Sequence, residues 1–208
     1  MKILLLLICL FLPRADVDLL ESGKAVNVRQ QTSSPAEIKI ISYNIRWRSG
    51  DDLKTLIKLF QTDPEIGNAK ILALQEVDRR KKRSGNNNTA KMIADELGMH
   101  YVWAAPPTPK PGDEEETGVA ILSVYPLSDV QGTVLPHKGP NGRRRLAPGA
   151  TVELENQRWR VYSAHSETRI AVSKKLEQYK ALPDDLARYP ANMPATIMGD
   201  LNTWEPNA

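Results

Sequence analysis

Apolar positions recur along the chain in two rhythms. Ile38 to Asn44 is a run of β-formers, and after the turn residues Ser49-Gly50-Asp51 the side chains Leu53, Leu56, Ile57 and Phe60 fall at i, i+3, i+4, i+7 of one helix face. Lys70 to Glu76 is apolar on both alternating faces until its end, as a strand covered on both sides should be. Strand, helix, strand predicts a right-handed parallel crossover that sets Asn44 beside Glu76 at the carboxyl ends of neighbouring strands. The second half repeats this plan with different residues. Arg158 to Ala164 alternates as a strand ending at His165, a helix carrying Ala171, Leu176 and Tyr179 runs to Pro183, and Ala195 to Gly199 is a strand ending at Asp200. The offsets match, at 121 residues from Asn44 to His165 and 124 from Glu76 to Asp200, so four polar residues are expected on one edge of the fold.

Between the halves, Thr89 to Leu97 reads as a short helix with Thr89 as N-cap and Gly98 as stop. Val119–Ser123, Val130–Leu135 and Ala150–Leu154 read as antiparallel strands, and Pro106 to Glu116 as a surface loop. The N-terminus is different. Met1-Lys2 and the apolar run Ile3 to Leu12 have the form of a secretory signal, too short to span a bilayer comfortably. Gly23 and Ala25 give a small-x-small cleavage pattern, with Ala15 as the other candidate. The expected organisation is therefore a signal peptide over residues 1–25, a polar linker over 26–35 and one domain over 36–208. Location would be secreted or periplasmic, with an uncleaved membrane anchor as the alternative.

Composition narrows the chemistry. A chain of 208 residues with 41% hydrophobic and 25% charged side chains suits one soluble domain, most simply a monomer, and excludes wholesale disorder. The single cysteine, Cys9, lies in the apolar leader, so the domain has neither a disulfide framework nor a thiolate metal site. Imidazole ligands are limited to His100, His137 and His165, whose spacing does not support a zinc site. The net charge of +3 is unchanged by losing residues 1–25, which carry three basic and three acidic side chains, and it permits polyanionic partners without requiring them. A carboxylate at a buried strand end needs compensation, and Glu76 and Asp200 both hold such places. With Asn and His beside them they suit a hard cation such as Mg²⁺. Taken one at a time, each acid reads equally well as a cap of the adjacent helix or turn.

Together the motifs carry more. Ser42-Tyr43-Asn44-Ile45, Leu74-Gln75-Glu76-Val77-Asp78, Ala164-His165-Ser166 and Gly199-Asp200-Leu201-Asn202 occur in the order and approximate spacing found in the endonuclease/exonuclease/phosphatase superfamily. Over residues 38 to 206 the chain resembles that deoxyribonuclease-like group. The resemblance implies an α/β four-layer sandwich of two face-to-face β-sheets flanked by helices, and a Mg²⁺- or Mn²⁺-dependent phosphoesterase. It implies Glu76 and Asn44 as metal ligands, Asp200 as the carboxylate that activates water, His165 as a catalytic imidazole, and Asn202 as a catalytic amide that also binds phosphate. Arg145 matches, more loosely, an arginine that holds phosphate. Family members also carry a second histidine beyond the Gly-Asp-x-Asn motif, which the chain given does not contain, so a C-terminally truncated domain is expected.

Arg79-Arg80-Lys81-Lys82-Arg83 and Arg143-Arg144-Arg145 fall in loops near the proposed edge and read either as phosphate holders or as solvated charge. His100 reads as structural and His137 as an exposed loop residue. Asn87-Asn88-Thr89 is a glycosylation sequon. The expected function is an exported metal-dependent phosphodiester hydrolase of endonuclease type acting on nucleic acid. The alternatives are a phospholipid or inositol-phosphate phosphodiesterase, and a non-catalytic binding remnant.

Overall fold

The structure, a computed structural model, describes residues 20–28, 37–107 and 115–203. The apolar leader with Cys9, the Ala15 cleavage candidate, most of the expected linker and residues 108–114 of the proline-rich loop lie outside the described residues.

Two β-sheets face each other. The first takes β1 (Leu20–Lys24), β2 (Ile40–Asn44), β3 (Ile71–Arg79), β4 (His100–Ala104) and β5 (Glu116–Ser123) in the order β1-β4-β5-β3-β2. The second takes β6 (Leu127–Lys138), β7 (Arg144–Glu153), β8 (Arg158–His165) and β9 (Ala195–Asp200) in the order β6-β7-β8-β9. Among the described strands only β2 with β3 and β8 with β9 run parallel, each pair joined by a helix, as the crossover argument requires. The main core lies between the sheets, where Ile71, Ala73 and Ile121 face Ala150, Val152 and Val161, while Leu72, Leu74 and Leu122 turn to the other face, under the helices. α1 (Gly50–Thr62) and α2 (Thr89–Leu97) cover the first sheet with the apolar faces read from the sequence, and α3 (Val172–Leu186) covers the second. This is the four-layer arrangement expected.

Several local expectations change. Leu20–Lys24, assigned to the leader, forms an edge strand paired along its length with β4, so the folded domain starts before Ala36. Its anchor is Glu21, which accepts from the Tyr101 hydroxyl at 2.9 Å and from Arg79 at 3.3 Å. Cleavage after Ala25 would remove this strand, whereas cleavage after Ala15 would leave it. The N-cap of α2 is Asn88, not Thr89, because its side-chain oxygen accepts from the backbone of Ala90 and Lys91. Helix α3 runs through Pro183 and buries Lys175, Gln178, Leu182 and Asp185, while Leu176 is exposed.

That polar face has partners. Asp185 accepts from Tyr162 at 2.8 Å and lies 3.5 Å from the fully buried Arg160, whose guanidinium sits between the rings of Tyr162 and Tyr189. Gln178 accepts from the backbone of Glu167 and donates to the Pro136 carbonyl. His137 is also not a loop residue. It lies in β6, half-buried, 2.6 Å from Glu177 of α3. His100 opens β4, where burial and nearby Lys24 lower its pKa, in keeping with a structural place.

Candidate active site

Asn44 and Glu76 reach the site from the first sheet, and His165 and Asp200 from the second. Along β3 the side chains alternate into two buried faces, which would leave a carboxylate at position 76 no route to solvent. A bulge provides one. The register with β5 slips between Gln75 and Val77, and Glu76 takes a positive φ of 55°. Such a conformation costs a non-glycine residue roughly 1–3 kcal/mol and is retained where its surroundings over-determine it. Here the Glu76 carbonyl is held by the Trp47 N–H at 3.1 Å. In the second sheet, β8 and β9 run in register with His165 opposite Asp200. Gly199 permits this close approach, since a Cβ there would lie 2.0 Å from the Ala164 carbonyl oxygen and the residue has φ 153°.

The two halves meet at Asn44. Its amide nitrogen donates to Glu76 at 3.1 Å and to Asp200 at 3.0 Å, while its oxygen accepts from the Arg46 backbone at 3.0 Å. The other Asp200 oxygen accepts from the Asn202 N–H at 3.3 Å. His165 Nε2 lies 3.9 Å from Asp200, a charge contact beyond hydrogen-bond range. Burial lowers the His165 pKa and the charge of Arg145 adds to this, outweighing Asp200, Glu76 and Glu167, so the imidazole is neutral at pH 7.

Asn44, Glu76, His165 and Asp200 therefore come together as their strand ends predict. Asn202 stays close but is used differently: buried, it donates its side-chain amide to the Ser166 carbonyl at 3.2 Å. Arg145 lines the cleft and pairs with Glu167 at 3.1 Å, and Glu167 answers with a lowered pKa because Arg145 and nearby backbone N–H groups outweigh its burial.

The cleft in front of Glu76 and His165 encloses about 330 Å³ and is also lined by Trp47, Arg83, Thr117 and Arg145. Trp47 was not legible as a site residue. Two successive positive φ values, 47° at Arg46 and 57° at Trp47, turn the chain just after β2 and leave the indole half-exposed at the cleft. The Arg83 guanidinium stacks 4.5 Å from its ring centroid. Two residues of the first basic cluster are structural. Arg79 is buried on Trp103, and Arg83 holds the fully buried Asp78 in two bonds of 2.6 and 2.9 Å, with Thr117 donating to the same carboxylate. That pairing raises the Arg83 pKa, and its charge is committed to Asp78.

The donor set fits a hard divalent cation. One amide sits between two carboxylates that both remain partly open to solvent, and turning that amide over would present oxygen in place of nitrogen. Among the described residues no three His, Cys, Asp or Glu side chains are placed to hold a metal ion by themselves, so a cation here would also need the Asn44 oxygen, water or substrate. A cation held by Glu76 and Asn44 would keep room for water and a phosphate oxygen.

Solved structures with this fold include an endonuclease/exonuclease/phosphatase family protein from Leptotrichia buccalis, 18% identical over 80% of this chain and 67% of that one, with a TM-score of 0.57. A second, from Beutenbergia cavernae, is 17% identical over 82% of this chain and 50% of its own, with a TM-score of 0.60. Sphingomyelinase C from Streptomyces griseocarneus is 15% identical over 79% and 64%, with a TM-score of 0.55. The chain thus spans between half and two thirds of these proteins. No curated protein sequence is significantly similar to it. Residues 41–208 match the model of the Endonuclease/Exonuclease/phosphatase family, and with the two-sheet fold and the strand-end motifs this places the chain in that family, whose members hydrolyse phosphoester bonds.

Proposed function

We propose that the protein is a divalent-metal-dependent phosphodiesterase acting on nucleic acid as an endonuclease. The observation that carries this reading is the Asn44 amide bridging Glu76 and Asp200 from opposite sheets at the mouth of a cleft that also presents His165. Glu76 and Asn44 would hold Mg²⁺ or Mn²⁺, which supplies neutralisation of phosphoryl charge. Asp200 is oriented by two N–H donors and orients and deprotonates the attacking water. His165 enters uncharged, so its ring nitrogen can take up or donate a proton beside the phosphate. Arg145, half-open at the cleft wall, positions phosphoryl oxygens while Glu167 holds its Nε. Asn202 acts through Ser166 and Asp200, as a positioning residue. The apolar leader supports an exported location, which N-terminal sequencing of the mature protein tests.

A second reading, hydrolysis of a phospholipid or inositol-phosphate diester, draws on the exposed indole of Trp47 and on the sphingomyelinase among the structural relatives. The test is hydrolysis of bis(p-nitrophenyl) phosphate, single-stranded DNA and sphingomyelin vesicles, with and without EDTA. Turnover of the small diester and of DNA, abolished by EDTA and restored by Mg²⁺ or Mn²⁺, is expected. Hydrolysis of vesicles alone supports the second reading, and EDTA-resistant turnover contradicts the metal role.

A further inference from the structure

Beside the catalytic cleft lies a second concavity of about 180 Å³ that the proposed reaction does not use. It shares Pro106, Thr117 and Arg145 with the cleft, so the two form one continuous groove. Its chemistry is different. The cleft presents the Glu76 carboxylate and a neutral histidine, whereas the crevice is lined by Lys81, Arg143, Arg144 and Arg145 against the carboxylates of Glu116 and Glu167. Among the described residues, four cations against two acids leave a positive excess.

The acids act as supports for the cations. Glu116 is buried at the start of β5 and holds Arg143 at 2.6 Å, while a second bond reaches from Arg143 to the Pro106 carbonyl at 3.4 Å. The buried Arg143 Nε–H still finds no acceptor among the described residues. Arg145 is fixed in the same way by Glu167. Arg144 is exposed and makes no side-chain hydrogen bond or ion pair among the described residues. The result is a cationic crevice in which Arg143 and Arg145 are clamped and Arg144 is open, joined to the cleft at Arg145.

We propose that this crevice binds a phosphate next to the scissile one, so that the substrate is a polynucleotide strand whose successive phosphodiesters occupy cleft and crevice together. This rests on the phosphodiesterase reading and deepens it. A diester with one phosphate, such as a phospholipid, fills the cleft and leaves the crevice empty. A polynucleotide carries its next phosphate on the same backbone and gains from cations placed beyond Arg145. The half-exposed indole of Trp47 gives the cleft an apolar face on which a neighbouring base stacks.

The test is the double variant Lys81→Gln, Arg144→Gln, which removes two charges and leaves the Arg143–Glu116 and Arg145–Glu167 pairs intact. With Mg²⁺, the kcat/KM ratio of a 12-residue single-stranded DNA to bis(p-nitrophenyl) phosphate should fall about tenfold, the scale expected when backbone phosphates are no longer neutralised. In EDTA, anisotropy of a fluorescent 12-mer should show that the dependence of log affinity on log salt flattens by about 0.7 for each phosphate that the variant no longer neutralises. An unchanged ratio and an unchanged salt slope overturn the proposal. So does an equal fall for sphingomyelin vesicles, which assigns the crevice to a membrane surface. Should no diester be hydrolysed, the catalytic reading fails by itself, and the salt slope in EDTA still decides whether the crevice binds the strand.

Discussion

Asp200→Asn and His165→Ala are each expected to lower kcat for phosphodiester hydrolysis by at least ~10²-fold, the usual scale for losing an acid-base or electrostatic participant. Asp200→Asn keeps the shape and the acceptor oxygen that Asn202 needs, so it removes charge and basicity from a group tied to both sheets through Asn44. His165→Ala removes a ring kept neutral by burial and by Arg145. The pH profile separates a chemical from a structural role. Wild-type activity should fall on the acid side as the imidazole gains a proton, at a pH below the usual histidine value because its pKa is lowered. His165→Ala should lose that limb while its thermal unfolding stays cooperative. If either variant unfolds and its refolded fraction has wild-type turnover, the residue serves the fold.

The largest stability effect should come from beneath α3, far from the cleft. Asp185 is buried, accepts from the Tyr162 hydroxyl, and is the carboxylate facing the fully buried Arg160, while Arg188 closes over it from the surface. Asp185→Ala leaves the buried Arg160 charge without its carboxylate, with the Asp129 carbonyl and Thr151 hydroxyl still accepting from it, and strips the Tyr162 hydroxyl of its acceptor. The expected cost is roughly 3–5 kcal/mol, the scale for breaking a buried pair from one side. Leu176→Ala, on the exposed face of the same helix, should change stability by less than about 0.5 kcal/mol. Urea unfolding of the two variants provides the comparison. A loss below about 1 kcal/mol for Asp185→Ala would show that the Asp129 carbonyl and Thr151 hydroxyl, or water, suffice for Arg160.

This pair of residues also marks where sequence reasoning loses its grip. Periodicity finds a helix face when that face is apolar, as in α1, where all four periodic residues are buried. It selects the wrong face in α3 because the layer beneath is polar, and Lys175, Gln178 and Asp185 look like solvent residues until Arg160, Tyr162 and Pro136 are placed against them. β1 is missed for a related reason. Leu20-Glu21-Ser22-Gly23-Lys24 has little intrinsic β character and follows an apolar leader, and its strand form comes from pairing with β4. The meeting of Asn44, Glu76, His165 and Asp200 was legible, because two strand-helix-strand units must bring their strand ends to one edge. The bulge that turns Glu76 outward was not, since no glycine marks it and the strain is held by a hydrogen bond from the Trp47 loop. The arginine clusters divide similarly: Arg79 and Arg83 serve buried Trp103 and Asp78, which are distant or unremarkable in a string of letters, while Arg144 stays open.

Glu76 is the carboxylate on which the cation site most directly depends. Glu76→Gln keeps the size and the acceptor for the Asn44 amide and removes one negative charge from the cleft. Calorimetric titration with Mg²⁺ or Mn²⁺, run beside hydrolysis of bis(p-nitrophenyl) phosphate, should show metal affinity and turnover falling together in the variant while the unfolding temperature is kept. Wild-type metal affinity and an unchanged Mg²⁺ dependence of turnover in Glu76→Gln would contradict that role.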